Sequence, residues 1–465
     1  MQAKIVLTEE KFRDSLTTLD AKGKRKWVYA QRPKGRLYNI RTLVSVFFFA
    51  ILFTLPFIQV NGNPLFLFNI PSAKFIIFSK VFWPQDFFIF GLTMVTFVVF
   101  IVLFTAAFGR LFCGWVCPQT IFMEMLFRKV EYLIEGNAAE QRMLSQAPWD
   151  TQKIVKKTAK HIAFYSLSFI IANLFLSYII GIKELSKIIT EPVNAHIAGF
   201  SSIIIFSTVF YIVYAFFREQ ICTVICPYGR LQSVLLDNNS MIVAYDYKRG
   251  EPRGKFSKTN HNLGDCIDCF QCVKVCPTAI DIRNGTQMEC VGCTACIDAC
   301  NSMMEKIGSP QGLIRYASEN SIKNGEKLRY STRMKLYTGL LILLTGVLSA
   351  LLITRKDVDA TVMRTPGMLY QERGTDSVSN LYNIKIANKT VHGIPLSIRI
   401  EGGKGKVEII GGKTIAVKKE DESSGTFFVV LPRTALNNRK TSVRLGLYEG
   451  GKKIDEIKTN FLGPF

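Results

Sequence analysis

Five stretches of this chain are apolar enough, and free enough of charge, to cross a lipid bilayer, and no other feature restricts its fold so strongly. A hydrocarbon core of about 30 Å takes roughly 20 apolar residues as a helix, because backbone N–H and C=O groups must be satisfied within the segment where water is absent. Residues 43–60, 87–108, 162–182, 197–217 and 336–354 meet this condition and contain no charged residue. The segment from Asn63 to Trp83 is apolar enough to raise a sixth span, but Asn69, Pro71, Lys74 and Lys80 interrupt it, so it is read as lying in the outer interface. The first 42 residues carry 11 Lys and Arg against four acids. With no short apolar run and cleavage site among them, they are read as an uncleaved basic arm rather than a signal peptide.

Orientation follows from the basic residues in the connections, because Lys and Arg near helix ends resist translocation. Residues 1–42, 110–160 and 218–333 hold 11, 8 and 15 of them, whereas 61–86 and 182–196 hold two each. The N-terminus is therefore expected inside and the tail from residue 355 outside. That tail carries 19 Lys and Arg against 12 acids, which is compatible with the rule because long domains translocate largely regardless of charge. The formal net charge of +22 thus mostly reports topology and solvation. A nucleic-acid partner would need a basic face on one soluble domain, and the excess is instead divided between two sides of a membrane. No nucleic acid is expected.

Against this topology the cysteines sort cleanly: all 12 fall in cytoplasmic connections and the tail has none. A reducing cytosol keeps thiols as metal ligands or reactive groups rather than as structural disulfides. Residues 266–300 read Cys-x2-Cys-x2-Cys-x3-Cys twice: Cys266, Cys269, Cys272 and Cys276 before Pro277, then Cys290, Cys293, Cys296 and Cys300 before Asn301. In such runs three closely spaced thiolates wrap three corners of an iron–sulfur cube, and the fourth is carried away to the other cube. One [4Fe-4S] cluster is therefore assigned to Cys266, Cys269, Cys272 and Cys300, the second to Cys290, Cys293, Cys296 and Cys276. A zinc module also uses paired Cys-x2-Cys, but it takes four ligands and shows no eight-cysteine duplication of this period. From Cys266 to Asn301 the segment resembles bacterial two-cluster ferredoxins, with Asn301 standing where a second Pro is usual. Paired clusters exchange one electron at a time, so this module is a relay rather than a hydride site.

The remaining four cysteines form two short pairs, Cys113-x3-Cys117-Pro118 and Cys222-x3-Cys226-Pro227. Each follows an outside-to-inside helix and a basic exit residue, Arg110 or Arg218, so the pairs mark an internal repeat. A spacing of four places both sulfurs on one helical face, and the Pro afterwards disfavours simple continuation of that helix. A lone pair of this kind is weak evidence, since free Cys is often a small buried hydrophobe. Two copies at matched depth, each before a Pro, favour a metal or redox role. Soft thiolates select Cu(I), and iron–sulfur ligation by the four sulfurs together is the other reading. Met123 and Met125 offer thioethers, yet they fit better on the apolar side of an interfacial helix from Ile121 to Ile134. His161 and His196 are read as interfacial residues rather than haem ligands.

After the fifth span the pattern changes to period two, over residues 381–387, 395–400, 406–410, 426–431 and 442–448, with Gly- and Asn-rich turns between. This suits a small antiparallel sandwich of immunoglobulin type. The domain lacks Cys and clustered carboxylates, and reads as a docking or spacer module. The expected organisation is a multi-domain membrane protein with a five-helix transmembrane region. A cytoplasmic basic arm (1–42) precedes four transmembrane helices carrying the two Cys-x3-Cys-Pro loops (43–235). A cytoplasmic two-cluster ferredoxin-like α+β module (236–333), a fifth helix (334–354) and an external immunoglobulin-like all-β sandwich (355–465) follow.

With both cysteine pairs and both ferredoxin runs in place, the chain resembles the CcoG/FixG/RdxA family over nearly its full length. The matching stretches are Trp83-Pro-Gln-Asp86, Gly109-Arg-Leu-Phe-Cys-Gly-Trp-Val-Cys-Pro-Gln-Thr120, Cys222-Thr-Val-Ile-Cys-Pro-Tyr-Gly-Arg230, the two ferredoxin runs and Leu381-Tyr-Asn-Ile-Lys-Ile-Ala-Asn-Lys389. The resemblance implies a multi-pass protein of the bacterial inner membrane, its last domain periplasmic, needed to assemble cbb3-type cytochrome c oxidase. It further implies an oxidoreductase that reduces Cu(II) to Cu(I), with Cys113, Cys117, Cys222 and Cys226 as the copper site. The implied partners are that oxidase or its assembly factors, a copper transporter or chaperone, and a cytosolic electron donor. Two other readings stand beside it: quinol-linked electron transfer of the NapH and NosR type, and a non-catalytic assembly scaffold with structural clusters.

Overall fold

The computed structural model describes residues 17–19, 22–60, 62–70, 74–82, 87–255, 263–326, 331–355, 358–367, 369–390, 392–412, 414–419, 421–436 and 438–464. The first 16 residues of the basic arm and the stretch Trp83 to Asp86 lie outside them. Chain contacts gather into two compact units, Met1–Phe57 with Gly91–Val347, and Ile58–Phe90 with Leu348–Phe465.

Five helices among the described residues are long and apolar enough to cross a membrane, which makes this a multi-pass membrane protein. They are α1 (Arg36–Thr54), α2 (Phe87–Phe108), α3 (Thr151–Ile180), α4 (Ile197–Ile212) and α5 (Thr332–Ile353). In the first unit α3 and α4 pack side by side around Phe164, Ile171 and Tyr214, and Phe122, Met123 and Phe127 complete this core. Tyr214 stacks on Phe127 with ring centroids 4.4 Å apart. α3 begins at Thr151, well before its uncharged run, because Asp150 caps it and its early lysines are neutralised: Lys157 and Lys160 both reach Glu135 at 2.9 Å. The helix after Cys117 runs from Pro118 to Ile134 through a π-turn at Phe122–Phe127, and Met123 and Met125 on it are buried. Both thioethers thus serve packing, as their apolar-side reading expects.

The cysteine-rich part of this unit is mostly loop. A two-stranded antiparallel ribbon, Ile242–Tyr245 with Ile314–Ala317, backs the short helix Gln271–Lys274 and the helix Ala295–Lys306. Val243, Tyr245, Ile280, Ile282, Ile297, Leu313 and Ile314 form a small core there with Cys266 and Cys272.

The second unit holds an antiparallel sandwich of nine strands: β1 (Val358–Arg364), β2 (Gln371–Arg373), β3 (Ser377–Asn388), β4 (Ile394–Glu401), β5 (Lys406–Ile409), β6 (Ile415–Val417), β7 (Glu422–Pro432), β8 (Lys440–Glu449) and β9 (Lys452–Leu462). One sheet runs β5-β7-β3-β1 with β2 also on β3, the other β6-β4-β8-β9. Alternate residues of both sheets, such as Tyr382, Ile384, Phe427, Leu445 and Leu447, close one core, as a half-buried pleat dictates. The same unit contains a feature the sequence reading placed in the membrane interface. Phe66–Asn69, Lys74–Ile77 and Lys80–Phe82 form a three-stranded antiparallel sheet that buries Leu67, Ile76 and Val81. Its second turn places Phe78 and Ser79 at φ 49° and 60°, the left-handed pair that a two-residue hairpin loop needs. Arg355, just past α5, lies 4.3 Å over the Phe82 ring and donates to the Val81 carbonyl.

Candidate metal and electron-transfer site

The two ferredoxin runs wind as irregular loops, and their backbone shows why. Asp268, Phe270, Ala279 and Thr294 hold φ between 54° and 63° without being glycine, and Gly292 holds 67°. Such left-handed residues fold the chain back on itself and turn successive N–H groups inward, a concavity suited to anionic ligands. Backbone N–H groups accordingly meet sulfur: those of Gly292 at Cys290, Ala295 at Cys293, Thr278 and Ile280 at Cys276, and Ile314 at Cys300.

The fold brings the eight thiols together in two sets that cross the sequence. Cys300 interacts electrostatically with Cys266 and Cys269, and Cys272 with Cys300 and Cys269. Cys296 interacts with Cys293, Cys290 and Cys276, and also with Cys272, which joins the sets. Cys272, Cys276, Cys290, Cys293 and Cys296 line one small apolar cavity with Ile280 and Ile282, so the cavity spans members of both sets. Burial pushes the Cys293 thiol up to about 11 and those of Cys272 and Cys300 up to about 12. Thiols so buried become thiolates only against a strong positive charge, which bound metal supplies. Among the described residues no three His, Cys, Asp or Glu side chains converge closely enough for one metal ion. An all-cysteine donor set in buried, backbone-lined loops fits iron–sulfur clusters.

The other four cysteines form a second kind of site. Cys113 lies in the short helix Leu111–Trp115, and Cys222 in the π-turn Ile221–Ile225. The second cysteine of each pair leaves its helix: Cys117 (ψ 122°) and Cys226 (ψ 114°) are the N-caps of new helices in which Pro118 and Pro227 take the first position. Proline is preorganised for that position and needs no N–H there, so it starts a helix here and the two sulfurs of a pair do not share one helical face. Cys222 interacts electrostatically with Cys117, Cys113 and Cys226, so the two repeats pool their thiols. Gln232, almost fully buried, approaches the Cys113 sulfur at 3.4 Å, and Thr120 approaches that of Cys222 at 3.9 Å. Burial pushes the Cys113 thiol up to about 11 and that of Cys222 up to about 12.

The two sites adjoin. A Cβ at Gly114, between Cys113 and Cys117, would stand 2.4 Å from the carbonyl oxygen of Gly292, between Cys290 and Cys293. Only glycine permits that approach. Arg110, buried beside Cys113, donates to the Cys290 carbonyl at 2.9 Å, to the Met288 carbonyl, and to the Gly229 carbonyl at 3.2 Å. Arg41 donates to the Gly114 carbonyl at 2.7 Å, Trp115 to the Tyr316 hydroxyl at 3.2 Å, and Asp298 accepts the N–H of Tyr38 at the start of α1 at 2.8 Å.

Beneath the loops lies a buried ion network that the sequence reading did not single out. Arg218 holds Glu131 by two bonds of 2.9 and 3.1 Å, Lys160 reaches Glu131 at 3.5 Å, and Arg25 reaches Glu219 at 2.9 Å. Arg218, at φ 52°, stacks over Trp27 at 4.8 Å. Burial raises the Glu131 carboxyl, but Arg218, Lys160 and Arg128 outweigh it and hold the group below its ordinary value. Arg110 and Arg218 are thus structural anchors as well as basic exit residues. The signal in the sequence was the pair of carboxylates four apart, Glu131 and Glu135, set among basic residues.

Among the described residues His161 and His196 make no hydrogen bond to a cysteine. The His161 Nδ1 pairs with the Tyr211 hydroxyl at 2.8 Å, and the His196 Nε2 with Glu191 at 2.5 Å.

Comparison with known proteins adds family models and relatives. A model described as "4Fe-4S binding domain" matches residues 90–135, one described as "4Fe-4S dicluster domain" matches 217–319, and one for the IG-like fold at the C-terminus of FixG matches 348–464. "Nitrogen fixation protein FixG" of Rhizobium meliloti is 30% identical, over 88% of this chain and 87% of that protein. "Protein RdxA" of Cereibacter sphaeroides is 34% identical over 73% of each chain. A solved FixG-related protein from Vibrio parahaemolyticus is 21% identical over 24% of this chain and 100% of its own, with a TM-score of 0.21.

Proposed function

We propose that this chain, which belongs to the FixG/RdxA family and is a membrane iron–sulfur electron-transfer protein, reduces Cu(II) to Cu(I) at Cys113, Cys117, Cys222 and Cys226. Two [4Fe-4S] clusters, one on Cys266, Cys269, Cys272 and Cys300 and one on Cys290, Cys293, Cys296 and Cys276, supply when bound the one-electron chemistry this reaction needs. The observation that carries the reading is the backbone approach of Gly114 to Gly292, which sets the four-thiol group against the loop of Cys290 and Cys293. Copper is the substrate. Each Cu(II) takes one electron, and soft thiolates favour the Cu(I) that results. The family resemblance directs the product to cbb3-type cytochrome c oxidase, through a copper chaperone or transporter, in a bacterial inner membrane. With the distribution of Lys and Arg, it supports a cytoplasmic cysteine-rich side and a periplasmic sandwich.

The test is anaerobic purification with iron, sulfide and copper counts, then mixing of the dithionite-reduced protein with Cu(II) while following cluster absorbance and trapped Cu(I). Cluster reoxidation matched by Cu(I) is expected. The variant with Cys113, Cys117, Cys222 and Cys226 all changed to Ser should keep its iron and lose copper reduction. Reduced protein that ignores Cu(II), or a Ser variant that reduces it as fast, refutes the assignment.

A further inference from the structure

Between Asp20 and Asp86 the chain has no acidic residue, so the basic side chains that lead into α1 depend on other elements for their counter-charge. Arg25 finds Glu219 at 2.9 Å. Arg32, which is exposed, meets instead the Tyr38 hydroxyl in the first turn of α1. Lys129, from the helix after Cys117, comes to the same place: its Nζ lies 5.5 Å over the Tyr38 ring and 3.4 Å from the Thr42 hydroxyl. A third cation, Arg41, adds its charge from behind. It is buried and cannot swing away, because its Nε donates to the Gly114 carbonyl at 2.7 Å.

Like charges gathered in this way repel, and Lys129 registers the cost. Burial first, then Arg32 and Arg41, hold its ammonium below the ordinary value. The neighbouring carboxylates are already engaged. Glu124, which interacts with Tyr38, pairs with Arg128 at 3.4 Å, and Asp298 accepts the N–H groups of Leu37 and Tyr38 at 3.2 and 2.8 Å. Among the described residues neither Arg32 nor Lys129 forms an ion pair with a carboxylate. The spot lies where α1 enters the bilayer. Just beyond it the helix turns Leu43, Val46 and Phe47 outward, all exposed, and Leu133, four residues after Lys129 and so on its side of the helix, is exposed as well. In a membrane such apolar side chains are covered by acyl chains, which sets a lipid headgroup at the level of Arg32 and Lys129.

We infer that Arg32 and Lys129 bind the phosphate of an anionic phospholipid, with the Tyr38 and Thr42 hydroxyls beside it and the acyl chains along the outward apolar face of α1. A guanidinium takes phosphate oxygens in pairs and an ammonium adds a point charge. Basic pockets between helices at a membrane surface hold anionic headgroups by this chemistry. A zwitterionic lipid offers the same phosphate but brings a cation of its own into a cluster that lacks anions, so a net-negative headgroup is selected. Free phosphate shares the oxygens and lacks the chains. Lipid binding here is independent of any copper chemistry.

The experiment uses delipidated full-length holoprotein in a non-ionic detergent, titrated with phosphatidylglycerol, with phosphatidylcholine of the same chains, or with inorganic phosphate, and bound lipid is counted by native mass spectrometry. Phosphatidylglycerol is expected to bind about tenfold more tightly than phosphatidylcholine and to lose about tenfold in affinity when Arg32→Gln and Lys129→Gln are combined. Arg333→Gln with Lys335→Gln, which removes two basic residues at the start of α5 instead, should leave that affinity unchanged. Because Lys129→Gln relieves repulsion, its thermal midpoint without lipid should be no lower than that of wild type, and phosphatidylglycerol should raise it by less. Equal losses in the two double variants, or equal binding of the two lipids, would mean diffuse attraction to basic residues near helix ends and overturn the site. Inorganic phosphate that displaces phosphatidylglycerol at equal concentration assigns the site to free phosphate and overturns the lipid.

Discussion

Replacing Arg110 by Met should make the cluster on Cys290, Cys293, Cys296 and Cys276 harder to reduce while sparing its neighbour. The guanidinium donates to the Cys290 carbonyl at 2.9 Å and also to the carbonyls of Met288 and Gly229, so its charge is held beside that cluster. Were the cluster bound with its iron roughly 7 Å from that charge, an effective dielectric of about 20 would make the lost attraction for an added electron about 2.4 kcal/mol. For a one-electron couple, with about 59 mV per tenfold change, this lowers the midpoint potential by roughly 100 mV. Arg110→Lys keeps the charge but not the fork of donors, so its potential should fall by less than half as much. The assay is a redox titration of anaerobic protein followed by electron paramagnetic resonance, which resolves the two clusters. Equal shifts at both clusters, or a Lys variant that falls as far as the Met variant, would show that the loop has merely been disrupted and would refute the electrostatic argument.

Four further outcomes concern the cysteine loops and the buried ion network. In Gly114→Ala the new Cβ meets a backbone carbonyl at 2.4 Å, so the two loops must part at a cost on the order of 1–3 kcal/mol; a thermal midpoint of cluster loss equal to wild type would contradict the close approach. Cys300→Ala should remove the cluster on Cys266, Cys269 and Cys272 and halve the iron, leaving the signal of the set that includes Cys290; loss of that signal instead would reverse the crossed ligation. Arg218→Met strands the buried Glu131 carboxylate and should cost about 3–5 kcal/mol, most of it recovered by adding Glu131→Gln. Because Glu131 is held below its ordinary value, its contribution is complete above the unfolded carboxylate pKa and fades as pH falls through the depressed native value. Melting temperature against pH should therefore have a flatter acid limb in Glu131→Gln, and parallel curves would sink the linkage.

The spans, the iron–sulfur character of the cysteine runs and the alternating strands of the sandwich were legible because each is a periodic or spaced signal. Lys157 and Lys160 hid the early start of α3, since a hydropathy window cannot know that Glu131 and Glu135 neutralise them. The sheet at 66–82 escaped because its tight turn uses Phe78 and Ser79 in place of the Asn-Gly signal that normally announces left-handed backbone. β9 was missed because Lys452, Lys453, Glu456 and Lys458 give an edge strand the polarity that discourages pairing with other chains. In the candidate site the thiols were visible, and Arg110 was visible as a basic exit residue but not as a donor to the Cys290 loop; Gly114 and Gln232 act through tertiary contacts and carry no spacing of their own.

The two kinds of thiol site differ in what surrounds their sulfurs, and the difference bears on the proposed copper reading. Toward the sulfurs of the eight-cysteine module, the Thr278 hydroxyl at Cys276 (3.4 Å) and the Tyr245 hydroxyl at Cys266 are outnumbered by the backbone N–H groups of Gly292, Ala295, Thr278, Ile280 and Ile314. They are fixed by the fold and cannot follow a departing ion. At the four-cysteine group the neighbours are the side chains of Gln232 and Thr120, which rotate at little cost and can satisfy either a thiol or a thiolate. A rigid cradle favours a cluster that stays and cycles its charge. An adaptable one suits an ion that enters in one oxidation state and leaves in another, and the contact of Gly114 with Gly292 places the second kind of site against the first.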